Sequence, residues 1–248
     1  MPQPSIAVIM PVRNGGSYLA EAIQSVLTQE YPEIELMVVD DGSTDGSGDV
    51  ARALGCSRVL ETPGIGPAGA RNAGIQASQS ELLLLLDADD LAGPYTLQTM
   101  VDALLRTPDA GFVQGFIQNF TAKPDGTRDI FTRPYRFINL GSCLWRRSVF
   151  ETVGRFDESL RLGEDHDLFM RCWERDIPRV LVDSVTLYYR RHAGNMTRGV
   201  DKSTGFGLIP VYRKRIECIR RGEYDASVPR RTSWPEYLGE SPGLTDLD

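Results

Sequence analysis

Residues 81–90 read ELLLLLDADD, five leucines followed by Asp87, Asp89 and Asp90 within four positions. An unbroken apolar run of that length suits a strand buried on both faces, as in a sheet covered by helices on each side. The acids suit water or a cation, because neighbouring carboxylates repel one another and are costly to bury unpaired. A strand ending in three acids therefore predicts a site at the mouth of the core. A few carboxylates together with phosphate oxygens are the usual ligands of Mg2+ or Mn2+. The competing reading is a helix N-terminus, where acids ahead of Pro94 favour the positive end of the dipole. Asp90 is the acid best placed for that role.

Outward from this strand the chain alternates. Short apolar runs at 6–10, 34–40, 58–60 and 110–116 read as further strands. Between them lie helical patterns near 17–27, 49–54, 68–77 and 94–106. The first has Leu19, Ala22, Ile23, Val26 and Leu27 on one face, with Ser17 as a candidate N-cap. Strands and helices on this rhythm predict an α/β fold with a doubly wound, mostly parallel central sheet and flanking helices. Ligands of such sheets bind beyond the carboxyl ends of the strands. Arg13 and Asn14, Asp40 and Asp41, and Asp87 to Asp90 all fall on that one rim.

The second half is less regular. KPDG (123–126) reads as a turn between strands, residues 179–189 as a strand pair, and 207–221 as a helix. The proline-containing stretch 223–248 is expected to be a loosely ordered tail. The domain expected is 1–222, in two halves, 1–116 and 117–222.

The 248 residues carry a net charge of -7, with 41% hydrophobic and 25% charged residues. That composition is globular and argues against a nucleic-acid binder. Cys56, Cys143, Cys172 and Cys218 form no metal-binding spacing and read as reduced thiols of a cytoplasmic protein. The N-terminal apolar run is too short for a signal peptide, and no run is long enough to span a bilayer. Peripheral contact with the inner face of a membrane through Arg213 to Arg221 stands beside the plainer reading of a solvated helix face.

Four further stretches carry candidate chemistry. Asp40 and Asp41 precede GSTDGS, where ordinary Asp-Gly turn chemistry competes with ligand contact; their shared rim with Asp87 favours contact. PGIGPAGARNAG (63–74) lacks the GK[ST] of a phosphate loop, but its small residues allow close approach, and Arg71 stands where it can reach over the rim. In GEDHDLFMRCW, Asp165 shares a helical stripe with Leu168, Phe169, Cys172 and Trp173. A carboxylate there is either a satisfied N-terminal acid or a base. Glu164, Asp167, Arg171 and Glu174 fall toward the wetter side, with Asp167 and Arg171 spaced as an i,i+4 pair. His192, beside Arg190 and Arg191, reads equally as a structural histidine or as a diphosphate or metal contact. His166 is structural or faces the acceptor.

The ordered set VIMPVRNGGSYLAEAIQSVLTQ, IELMVVDDGSTDGS, GPAGARNAGIQAS, LLLLLDADD, GSCLWRRSVFETVGRFDESL and GEDHDLFMR resembles glycosyltransferase family 2, with its GT-A fold. The resemblance implies transfer of a sugar from a nucleotide diphosphate sugar, commonly UDP-linked, with inversion, as in cell-envelope or polysaccharide biosynthesis. It implies that Asp40, the backbone of Pro11, Val12 and Arg13, and Arg71 hold the base. Asp87 and Ala88 would meet the ribose side, and Asp89 of this DXD motif the metal, with His192 as a further metal or diphosphate contact. Asp165 would be the general base. No QxxRW-type segment appears, which argues against a processive synthase, and little room is expected for an added acceptor domain. The acceptor is left open among a glycan, a lipid-linked sugar and a small molecule. Residues 131–137 and Trp145 either line its site or serve the core. The rival readings are a nucleotide-sugar binding protein without turnover and an aspartyl phosphohydrolase; the latter lacks its supporting lysine motif.

Overall fold

The computed structural model describes residues 3–123, 127–196, 208–223 and 229–240. The KPDG turn and the end of the expected tail lie largely outside them. Strands β1 (Ile6–Val12), β2 (Ile34–Asp40), β3 (Arg58–Glu61) and β4 (Leu82–Leu85) run parallel in the order β3-β2-β1-β4. Helices α1 (Tyr18–Leu27), α2 (Ser47–Ala53) and α3 (Gly66–Ala77) connect them. This is the α/β winding expected from the alternating pattern.

The five leucines divide by the period of a strand. Leu82, Leu84 and Leu86 enter a core with Leu19, Ile23 and Val26 of α1 and with Met100, Val101 and Leu104 of α4 (Thr96–Arg106). Leu83 and Leu85 enter a second core with Ala70 and Ile75 of α3. Full burial of each such side chain stabilises by about 1.5–3 kcal/mol, so this strand is firmly held between the two cores. On the α3 side the approach is close: a Cβ on Gly74 would stand 2.4 Å from Ile9 Cγ2. Only glycine lets this helix lie so near the sheet.

The second half extends the same sheet. After β5 (Leu91–Ala92) and α4, the strands β6 (Phe112–Ala122), β7 (Arg128–Ile130), β8 (Cys143–Arg146) and β9 (Arg179–Arg190) complete the order β4-β8-β6-β9-β5, with β7 on β6. β8 is antiparallel to both β4 and β6, and β9 is parallel to β6. Two reversals restore the original direction, so β9 ends on the same rim as β4. That topology brings His192 to the acids.

The structure corrects several expectations. Residues 179–190 form one long strand, β9, because the whole segment pairs along β6 across bulges. Trp145 is fully buried and stacked on Phe112 with ring centroids 4.2 Å apart, so it is core. Part of the expected tail is helical. Helix α8 (Trp234–Leu238) is closed by a capping box between Ser233 and Glu236, and Tyr237 is buried beneath it.

The largest correction concerns α6 (Glu164–Glu174). Glu164, Asp167, Arg171 and Glu174 are buried, whereas the Asp165 side chain is 34% exposed. The reason is a second covering layer. The Arg171 guanidinium donates to the carbonyls of Val153, Gly154 and Arg155, and to Asp167 at 2.8 Å. From α7 (Leu208–Arg220), Lys214 pairs with Asp167 at 3.1 Å and Arg215 pairs with Glu174. The charged side of α6 is thus dry because another helix is clamped to it by ions.

Candidate active site

Each acid of DADD has a different partner. Asp87 Oδ1 accepts from Arg71 Nη2 at 2.6 Å. Asp89 Oδ2 lies 2.9 Å from His192 Nε2. Asp90 Oδ1 accepts from the backbone N–H of Arg190 at 2.8 Å. Asp90 is 2% exposed and belongs to the β4–β9 junction, not to a helix end as the N-terminal reading had it. Burial, and then the charges of Asp89 and Asp87, push its carboxyl well above the ordinary range, against the pull of Arg190.

Arg190 fixes the acidic loop from below. It is 1% exposed, donates through Nε to the carbonyl of Asp89 at 2.7 Å, and pairs through Nη2 with Glu21 at 2.9 Å. Its guanidinium carbon lies 4.9 Å from the ring centre of Tyr18 and 4.7 Å from that of Phe120. Tyr18 in turn lies against the His192 ring, at 4.5 Å between centroids. A turn closes the site: Asn195 Oδ1 accepts from the His192 N–H at 2.7 Å, and Gly194 N–H donates to His192 Nδ1 at 3.1 Å. With Nδ1 accepting, the neutral ring carries its proton on Nε2, facing Asp89.

Burial first, and then the charge of Asp87, raise the Asp89 carboxyl above its usual range, with His192 opposing. An oxygen and a nitrogen ligand atom therefore face each other on a part-exposed rim. This donor set fits a divalent cation that takes its other ligands from phosphate and water. Among the described residues no cluster of three His, Cys, Asp or Glu side chains could hold a metal by itself.

Arg71 crosses the site. While Nη2 holds Asp87, Nη1 donates to Glu164 Oε1 at 2.7 Å. It thereby ties the acidic loop to the first turn of α6, where Asp165 stands. Asp165 Oδ1 accepts from the backbone N–H of His166 at 2.7 Å and lies 3.0 Å from His166 Nδ1. Burial raises the Asp165 carboxyl, but His166 and Arg71 outweigh it and hold it below the usual range. Glu164 is raised, mainly by burial and by the Asp165 charge, against the pull of Arg71. The Phe137 ring lies 6.0 Å from that of His166.

The β1 and β2 residues behave unequally. Asp40 is buried, accepts from the Ser43 N–H at 2.8 Å, and has Gly48 packed against its other oxygen. Asp41 is spent on structure: it accepts from Thr62 Oγ1 and from the N–H groups of Gly64, Ile65 and Gly66. Pro11 is half-buried and Val12 buried, Arg13 is exposed and leans toward Gly64, and Ala88 is buried between the acids. Sequence reasoning missed Glu164, Arg190, Glu21 and Asn195. Only the adjacency of Arg190 to His192 signalled any of them.

An α/β sheet with this order, and with its acids and basic partners gathered at the strand ends, is that of a GT-A type glycosyltransferase. Residues 7–156 match the family described as Glycosyl transferase family 2. The chain belongs to that family and is a glycosyltransferase enzyme. It is 28% identical to Glycosyltransferase GlyG of Streptococcus pneumoniae serotype 4, over 91% of this chain and 84% of that one. It is 34% identical to the succinoglycan biosynthesis protein ExoU of Rhizobium meliloti, over 67% of this chain and 56% of that one. Among solved structures it resembles S. aureus TarS 1-349 in complex with UDP-GlcNAc, with TM-score 0.68, 21% identity, and coverage of 90% and 68%. It also resembles the mannosyltransferase PcManGT of Pyrobaculum calidifontis in complex with GDP-Man and Mn2+, with TM-score 0.64, 19% identity, and coverage of 92% and 66%.

Proposed function

We propose that the chain transfers a sugar from a nucleoside diphosphate sugar, UDP-linked by preference, to an acceptor hydroxyl with inversion, and that Asp165 is the base. The observation that carries this reading is the bridge Asp87–Arg71–Glu164, which links the acidic rim to the helix turn that carries the part-exposed Asp165. The acceptor hydroxyl is a poor nucleophile and needs a positioned carboxylate to take its proton; His166 and Arg71 keep Asp165 deprotonated, and its part-exposed place at the start of α6 leaves it open to an acceptor. One base suffices for a direct displacement. Asp40, with Pro11, Val12 and Arg13, lines the base end of the donor site. Asp87 and Ala88 meet its ribose side, and Arg71 acts through Asp87 and Glu164.

Asp89 and His192 would hold a divalent ion, Mn2+ or Mg2+, which when bound stabilises the negative charge developing on the leaving diphosphate. The Mn2+ seen with the mannosyltransferase relative supports this reading. Residues 1–116 provide the donor side and 117–222 the acceptor side, although His192 and Asn195 reach back to the donor rim. Phe131, Tyr135 and Phe137 are apolar or aromatic groups at the acceptor side, suited to a glycan or a lipid-linked sugar.

Among the described residues no helix is long and apolar enough to cross a membrane. Helix α7 nevertheless exposes Ile209, Tyr212, Ile216 and Ile219 on one ridge, flanked by exposed Arg213 and Arg220. That combination supports peripheral contact with an anionic membrane surface on the cytoplasmic side. The test of the central reading is Asp165→Asn: nucleotide binding is retained and sugar transfer lost. Unchanged transfer would assign the base elsewhere.

A further inference from the structure

We propose that Arg71 is a positioning residue that transmits donor binding to the helix presenting Asp165, with Glu164 as its fixed anchor. This rests on the reading of Asp87 as donor-facing and Asp165 as the base. The two arms of Arg71 differ in their surroundings. The Asp87 side chain is 43% exposed, whereas Glu164 is 12% exposed and Arg71 itself 6%. The Asp87 arm can be exchanged for solvent or ligand; the Glu164 arm is dry. The buried Nε of Arg71 has no hydrogen-bond partner, so the guanidinium is held by these two carboxylates and by the Phe156 ring at 5.7 Å.

One positive charge thus serves two acids. When the donor engages Asp87, Arg71 turns its charge more fully to Glu164, and the first turn of α6 is drawn tighter. That turn holds Asp165 and the N–H groups of His166 and Asp167, which bond Asp165 Oδ1 and the Gly163 carbonyl at 2.7 and 2.9 Å. Arg71 is the right residue for this task because its planar fork reaches both acids at once, which a lysine ammonium does not. The coupling favours binding of donor before ordering of the base.

The test is hydrogen exchange of the peptide containing His166 to Leu168 with and without UDP or GDP and Mn2+, in parallel with calorimetry of the same nucleotides. In the wild type, nucleotide should slow exchange of that peptide about 5–10-fold, the low end of ordinary coupling between sites. Glu164→Gln should keep nucleotide affinity within about threefold, a change near 0.7 kcal/mol, yet lose most of this response, and Arg71→Lys should lose the response as well. A protein in which Arg71→Lys does not fold leaves the test to Glu164→Gln alone. Nucleotide binding without any change at 166–168 in the wild type overturns the coupling and leaves the transferase reading standing. An equal response in Glu164→Gln also overturns it. No binding of either nucleotide removes the donor-site reading and the coupling with it.

Discussion

His192 Nε2 meets Asp89 Oδ2 at 2.9 Å although 103 positions separate them in the chain. The contact exists because β8 runs antiparallel to both β4 and β6, so that β9, parallel to β6, ends on the rim where β4 ends. Arg190 completes it, bonding the Asp89 carbonyl and carrying the Asp90 carboxylate on its own N–H. The three acids of DADD are therefore not one cluster with one role. Asp90 is a structural staple, Asp89 faces the histidine, and Asp87 faces Arg71 and solvent.

Replacing Asp165 by Asn keeps the volume and the hydrogen bond to His166 but removes the proton acceptor. Turnover should fall on the order of 1,000-fold, the usual range for loss of a positioned base. Nucleotide affinity should stay within about twofold, because the donor rim is untouched. Steady-state kinetics beside calorimetry separates the two, and equal losses in both would point to a folding defect.

Much of this was legible in advance. Leu82 to Leu86 announced a central strand, and the strand ends put Asp40 and Asp87 on one rim, since winding fixes where carboxyl ends lie. The environment of α6 was not legible. Helical periodicity marks the apolar side of a helix, but the opposite side was buried by ions from α7, which leave no hydrophobic signature. Asp90 was misread for a similar reason: its partner is a backbone N–H in β9, and only the long-range register supplies it. Trp145 illustrates the converse, an aromatic residue whose core role became evident only through its stacking on Phe112.

Lys214 of α7, besides pairing with Asp167 of α6, pairs with Asp157 in the segment before α6, and this pair gives a defined dependence on pH. Burial favours the protonated form of Asp157, but Lys214 and the bonds from Ser159 outweigh it and bring its pKa down to about 2. A folded-state value below the unfolded value means stabilisation that is present above about pH 4 and lost as pH falls through about 2. Asp157→Asn should therefore cost about 1–2 kcal/mol at neutral pH. The gap from wild type, read by thermal melts, should close between about pH 4 and pH 2. A gap independent of pH would mean that packing, not the ion pair with Lys214, makes the contribution.

The exposed ridge of α7 should bring the chain to anionic lipid. Sedimentation with phosphatidylglycerol vesicles should exceed that with phosphatidylcholine vesicles and fall with salt, each arginine near the surface contributing ~1 kcal/mol. Ile216→Glu should reduce it. Equal sedimentation with both lipids, or none, would return the ridge to a solvated face or to contact between copies of the chain.

The most direct measurement is calorimetric titration of UDP, and then GDP, into wild type and Asp89→Asn, with Mn2+ and again with chelator. A donor site at DADD predicts that one nucleotide binds wild type only with metal, and that Asp89→Asn loses this binding. Nucleotide binding that ignores both the chelator and the substitution would put the donor somewhere other than the rim of Asp87, Asp89 and His192.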